Sequence, residues 1–440
     1  MRFLTLILTL FLAGLFIVNL YKSQTPQPPK NIIFVIGDGM GDNYLAAYRY
    51  WQAQSPESIS PTIFDQLLVG KSMSYPKDNT FVTDSAAGAT AFAAAEKTYN
   101  GAISVTQSGE HLPTLMELAK KLNKTTAIVA TSEVVHATPA TFFAHQAHRK
   151  EYPQIADQIV DNQINGKPII DLFLGGGISY LVREDRNLLN ELATLGYTVT
   201  TDWNSLRSIK TLPSIGVFAA KGLQYEINSK QQRLQSMTEV ALDTLTSHNN
   251  KNGFVLMLEA SQIDWCGHAN DIACAMHEMD DLAKTLLLVK DFVDNNPDTL
   301  LVVTADHETG GLSIGANGQY NWYPKIISQI SKSIDQIAAA LDKVEDSQLY
   351  DTWISLTKIK LSAAAKAELT TAKNLGNNSA LLAFTREQIN SASLTGWTSG
   401  GHTAGDVPVL AYGKGAELFF GFQDNTEIGA KLFELINSTD

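Results

Sequence analysis

The chain is short of cysteine and of positive charge, and each shortage narrows what it can do. Among 440 residues only two are cysteines, Cys266 and Cys274. In an oxidising compartment they could form one disulfide closing a short loop. They could equally be two buried thiols, because Cα separation cannot be read from sequence. Lysine and arginine total 33 against 45 aspartates and glutamates, a formal charge of −12, and arginine is scarce. A chain of that sign presents no basic face for nucleic acid and no groove for a polyanion. A small phosphorylated ligand would need local positive charge, from metal ions or one placed arginine. There is also no repeat period and no low-complexity tract, and the composition is not that of a disordered chain.

What is present begins with an uncharged apolar run, Phe3 to Leu20, after Met1-Arg2. Residues 1–22 are expected to be an export signal or an N-terminal membrane anchor, so the chain is expected in the periplasm or outside the cell, tethered to the inner membrane if residues 3–20 are retained. Residues 23–30, with Pro26, Pro28 and Pro29, read as a stiff linker. The remaining 31–440 is long enough, in a chain of 44% hydrophobic content, to bury a large α/β core.

Chemistry-bearing residues recur just after apolar runs that read as buried strands. Asn31 to Ile36 runs into Gly37-Asp38-Gly39-Met40-Gly41. The glycine spacing is wrong for a dinucleotide loop, and Asp38 would repel a pyrophosphate unless a cation lay between them, so Asp38 reads as a metal ligand. Thr126 to Thr131 precedes His136 and Thr138, and Arg149 follows farther on. Gly253 to Leu258 delivers Glu259, then Asp264 and His268, which share one side of a helical turn and form a common zinc-ligand pair. Thr299 to Thr304 leads into Asp306-His307 beside glycines, and His402 lies in a glycine loop. A glutamate directly after so apolar a strand is costly unless it binds something.

One further stretch organises these. In Thr83-Asp84-Ser85-Ala86-Ala87-Gly88, alanines begin a helix after Phe81 and Val82, which read as extended. Ser85 is thereby expected at a helix N-terminus, where unpaired N–H groups and the macrodipole favour a phosphoryl group. Between Gly311 and Gly396 the pattern turns helical, with Ile326, Ile330, Ile334, Ile337, Leu341 and Val344 at helical spacing. This reads as an insertion over or beside the site.

In order and local spacing these stretches resemble the alkaline phosphatase family across residues 31–440, which would form its catalytic domain. The resemblance implies a three-layer α/β sandwich with a large, mainly parallel central sheet and a helical, crown-like insertion at about 320–395. It implies two zinc ions and one magnesium per chain, with Asp264, His268 and His402 on one zinc and Asp38, Asp306 and His307 on the other. Asp38, Thr138 and Glu259 would hold the magnesium. Ser85 would be the nucleophile, forming a phosphoserine, and Arg149 would clamp two phosphate oxygens with Asp84 orienting it. His136 and Trp265 stand at positions that vary within the family, near the third ion and the phosphate. A homodimer acting on small phosphorylated substrates is the implied assembly.

The residue chemistry points the same way. Four carboxylates and three divalent ions leave the centre at roughly plus two, suited to a phosphate dianion. A guanidinium matches two oxygens with parallel hydrogen bonds. A sulfatase would need a modifiable Cys or Ser followed by proline and arginine, where Ala87 and Ala89 stand. A phosphodiesterase, more often with a threonine nucleophile and no arginine clamp, is the nearer alternative. A binding protein without turnover would have no use for Ser85.

Overall fold

The computed structural model describes residues 28–438. The expected export segment 1–22 and most of the linker lie outside the described residues. Among the described residues, no helix is long and apolar enough to cross a membrane.

Ten strands form the main sheet: β1 Asn31–Gly37, β2 Leu68–Met73, β3 Thr125–Glu133, β4 Leu172–Gly176, β5 Thr198–Thr200, β6 Ser214–Val217, β7 Phe254–Ala260, β8 Thr299–Thr304, β9 Val407–Gly413 and β10 Gly421–Asp424. Their order across the sheet is β10-β2-β9-β8-β1-β7-β3-β4-β6-β5. Only β9 runs against its neighbours. β1 therefore sits near the middle, paired in parallel with β7 and β8, so the residues that follow these three strands emerge side by side at one edge. In a parallel sheet that edge is where ligand groups collect.

The strands are apolar on both faces because both faces are covered. Ile33, Val35, Leu256, Leu258, Leu301 and Val303 pack into one core with the helices Arg233–His248 and Ile272–Asn295. Ile32, Phe34, Val255, Met257, Leu300 and Val302 pack into the other with Ser85–Ala94, Leu115–Lys121 and Asn425–Asn437. This is a three-layer α/β sandwich.

The helices between residues 324 and 393 extend the first core through Ile327, Ile334, Ile337, Leu341 and Leu381. They pack against the end of the helix Gln262–Ala269: Arg386 Nε donates to Ala269 O at 2.8 Å and Asn390 Nδ2 to Asn270 O at 3.0 Å. Ile334 N reaches Asp271 Oδ2 at 2.7 Å.

Several local expectations are corrected. Phe81 and Val82 are exposed and in a bend, not extended, because Asp78 and Asn100 hold that loop by side-chain bonds to its backbone. His402 lies in a two-residue strand paired with Glu308–Thr309, not in an open loop. Of the two readings left open for the cysteines, the disulfide is the one present: Cys266 and Cys274 are bonded to each other, joining the helix Gln262–Ala269 to the start of Ile272–Asn295.

Behind that first helix lies a buried ionic cluster. Arg233 donates to Glu226 Oε2 at 3.1 Å, to Glu278 Oε2 at 2.5 Å and to Gln262 Oε1 at 2.6 Å, while Asp281 caps the backbone of Leu234 and Gln235. Removing the cation would strand these carboxylates away from water. Arg233→Met is expected to lower unfolding stability by ~3–5 kcal/mol, read from denaturant midpoints; a change within experimental error would contradict the account.

Candidate active site

Each site residue is placed by a strand end or a helix start. Asp38 follows β1 in a turn that needs Gly39 at φ 76°, where a Cβ would stand 2.8 Å from Asp264 Cα and from Thr309 Oγ1. Ser85 is the first residue of its helix. Asp84 is the cap, accepting from Ala87 N at 3.0 Å, and also from Gly101 N at 3.1 Å. The serine is thus not a capping residue, and its hydroxyl is left to the centre. Gly88 lets the helix approach the Asp306 carbonyl, which a Cβ would meet at 2.8 Å.

Three groups of potential ligands converge. Asp264 Oδ1 lies 3.3 Å from His268 Nε2 and 3.5 Å from His402 Nε2, and the two Nε2 atoms are 3.1 Å apart. The Gly400 carbonyl accepts from His268 Nδ1 at 2.7 Å and the Thr83 carbonyl from His402 Nδ1 at 2.8 Å. With both Nδ1 atoms turned to carbonyls, both Nε2 atoms face each other and Asp264 Oδ1, three potential ligand atoms that a shared cation would satisfy together. In the second group, His307 Nε2 is 3.4 Å from Asp38 Oδ1, 3.4 Å from Asp306 Oδ2 and 3.2 Å from Ser85 Oγ. Neither carboxylate oxygen has a hydrogen-bond partner. In both groups these separations match the edge of about 3.3 Å that tetrahedral ligands at ~2.0–2.1 Å from zinc would have.

In the third group, ligand atoms of Asp38, Glu259 and His136 come within 4.8 Å of one another. Thr138 Oγ1 donates to Asp38 Oδ2 at 3.4 Å. Glu259 Oε2 accepts from Ser132 Oγ at 3.2 Å, while its Oε1 has no partner. Buried orphan carboxylate oxygens in three places are what a set of divalent cations would satisfy.

The electrostatics carry the same imprint. Burial, then repulsion from Asp306, Asp264 and Glu259, pushes Asp38 well above the ordinary carboxylate range. Burial pushes Glu259 up to about 8, and burial with Asp264 pushes Asp306 up to about 7. Against burial, the hydrogen bond with His268 and the nearby imidazoles hold Asp264 well below that range. His268 is pushed up to about 8 by Asp264. Burial and Arg149 drive His136 down to about 3, so it is neutral.

Arg149 completes the site. Its Nη1 donates to Asp84 Oδ2 at 3.0 Å and its Nη2 to His136 Nε2 at 3.3 Å. Trp265 packs edge-on against His136, ring centroids 5.9 Å apart. The structure thus brings every residue singled out in the sequence into one centre. It also interleaves them: a ring nitrogen of His307 lies within 4.8 Å of the ligand atoms of Asp264 and His402 as well. Two participants escaped the sequence. Glu308 accepts from Thr403 Oγ1 and from Gly311 N, tying the His402 strand down. Thr309 donates to Asp264. The signal for Thr309 was its place two residues beyond His307.

With this geometry in view, a family model described as alkaline phosphatase matches residues 29–437. Alkaline phosphatase 3 of Bacillus subtilis is 43% identical over 423 residues, 94% of this chain and 90% of that protein. The crystal structure of a cold-active alkaline phosphatase from a psychrophilic Shewanella sp. is 41% identical, covers 92% of this chain and 99% of that one, and superposes with a TM-score of 0.87. A variant of the alkaline phosphatase TAB5, with a histidine replaced by glutamate and magnesium in its M3 site, is 28% identical, covers 94% and 99%, and has a TM-score of 0.71.

Proposed function

The chain belongs to the alkaline phosphatase family, whose metal-dependent phosphomonoester hydrolysis it shares, and from that premise we propose that it works through a phosphoserine on Ser85 with two zinc ions and one magnesium. Asp264, His268 and His402 would hold one zinc, and Asp38, Asp306 and His307 the other. Asp38, Thr138 and Glu259 would hold the magnesium, with His136 beside them. Magnesium in the M3 site of the TAB5 variant supports that third position. Bound zinc supplies acidification of a contacting hydroxyl and neutralisation of charge on a departing oxygen.

The observation that carries the reading is Ser85 Oγ at 3.2 Å from His307 Nε2, itself beside two orphan carboxylate oxygens. A hydroxyl so placed, on the first residue of a helix, can form a bond to phosphorus as it gives up its proton, while the P–O bond to the ester oxygen breaks on the opposite side and that oxygen, taking up a proton, leaves as the alcohol. Water then cleaves the phosphoserine and frees inorganic phosphate. Arg149 would bind two phosphoryl oxygens, held by Asp84, with Trp265 and His136 forming its flank. A dianion suits this clamp, which favours monoesters over diesters. Export directed by Phe3–Leu20 and assembly as a homodimer belong to the same reading; the apolar run supports the first and the family the second.

The test is a rate comparison of p-nitrophenyl phosphate with bis(p-nitrophenyl) phosphate on protein whose metal content has been measured. Faster diester turnover would favour the phosphodiesterase alternative. Arg149→Ala is expected to raise KM for the monoester and weaken inhibition by inorganic phosphate, each by roughly 10- to 100-fold, the worth of one or two charge-assisted hydrogen bonds. Unchanged phosphate inhibition would remove Arg149 from the binding role.

A further inference from the structure

Thr309 is fully buried on the short strand that pairs with His402. Its Oγ1 donates to Asp264 Oδ1 at 2.5 Å and lies 3.2 Å from His307 Nδ1. A hydroxyl has one proton, and here the carboxylate takes it. The oxygen can then only accept from the imidazole, so Nδ1 carries the hydrogen and Nε2 keeps its lone pair. Nε2 is the nitrogen that stands next to Ser85, Asp38 and Asp306. One hydroxyl therefore touches a member of each of the two zinc-type groups.

The surroundings are shaped to hold it there. A Cβ on Gly39 would come within 2.8 Å of Thr309 Oγ1, and one on Gly267 within 2.9 Å of its Cγ2. Thr309 N donates to Gly39 O at 3.1 Å, and Tyr44 Oη donates to Thr309 O at 2.7 Å. Backbone and side chain are both pinned, between two residues that have no side chain to displace them.

We propose that Thr309 is a positioning residue that couples the two zinc sites, holding His307 in its Nδ1–H tautomer and Asp264 toward His268 and His402. Zinc at one group fixes Asp264, which fixes the hydroxyl, which fixes His307 for the other group. The two affinities are then linked, each ion strengthening the other. The inference rests on the two-zinc reading above.

The test is zinc titration of metal-free protein against a chromophoric chelator, with no substrate present. Wild type is expected to take up two equivalents in one cooperative transition. Thr309→Val, which keeps the shape and deletes donor and acceptor, is expected to weaken both by roughly 10- to 100-fold and to make binding stepwise. Thr309→Ser should restore wild-type behaviour to within a few fold, a rescue that mere filling of space would not give. If the valine variant does not fold, Thr309→Ala is read in the same way, since it cannot overfill the space between the glycines. Valine or alanine binding both ions as wild type does, losing only one, or serine failing to rescue, would overturn the coupling while wild-type uptake of two zincs left the functional reading standing. Wild type that takes up fewer than two would instead sink the two-zinc reading itself, and the coupling with it.

Discussion

Ser85→Ala is expected to reduce monoester turnover by roughly 10³-fold or more while zinc content and thermal stability stay at wild-type values. The reason for the second half is structural. The helix start is capped by Asp84, not Ser85, alanine is the best helix former, and the proposed ligand carboxylates and imidazoles are untouched. The reason for the first half is chemical: without the hydroxyl there is no covalent step, and only direct attack by water on the bound ester is left. Three readings taken together decide the matter: kcat on p-nitrophenyl phosphate, metal content by elemental analysis, and phosphate trapped on the protein after acid quench. Wild type should trap phosphate and the variant none. A variant turning over at the wild-type rate would exclude Ser85 as the nucleophile.

Removal of the metal ions should abolish turnover and lower the melting temperature, and the thermal loss should widen as pH rises from about 5 to about 8. Metal-free, the centre holds Asp38, Glu259, Asp264 and Asp306 buried together. Burial and mutual repulsion raise the folded-state values of Asp38, Glu259 and Asp306 above the ordinary values of 3.8 and 4.5, Glu259 to about 8 and Asp306 to about 7. A group with a raised folded value contributes stability that is complete below its unfolded value. That contribution is lost as pH climbs through the folded one, because the folded chain must then keep a proton or bury a charge. His268, raised to about 8 by Asp264, loses its contribution in the same direction. Asp264, held low, changes only at more acid pH. Divalent ions cancel the repulsion, so the loaded protein should be nearly flat over the window. The expected difference in melting temperature at pH 8 is roughly 5 °C or more, measured by scanning calorimetry with and without chelator. A metal-free protein whose stability held level or rose over this range would contradict the electrostatic account of the centre.

Much of the fold was legible because a parallel sheet covered on both faces leaves continuous apolar runs in the chain. Thr299–Thr304 coincides with its expected span, and the strands holding Ile33, Ile128 and Met257 were found within a residue or two of their ends. Short edge strands were not. Leu68–Met73 contains glycine, lysine and serine, and Gly421–Asp424 has exposed Phe422; neither buries enough on both sides to leave a pattern. The helix Asp42–Ala53 was passed over too, since its start has no side-chain cap and its apolar face is interrupted by polar residues.

The order of residue types along the chain, a hydroxyl opening a small-residue helix and acids and imidazoles placed after buried strands, was enough to show the resemblance to the alkaline phosphatase family to which the chain belongs. Pairing across the chain was not in that order. His307 meets Ser85 across 222 residues and His402 meets Thr83 across 319. Such meetings depend on which strands lie side by side, and crossover connections decide that, not local periodicity. The bond between Cys266 and Cys274, the contact of His136 with Arg149, and the Thr309 hydroxyl shared by Asp264 and His307 were settled only when helices and strands closed around them. Proximity, burial and the direction of a single proton are properties of the packed interior.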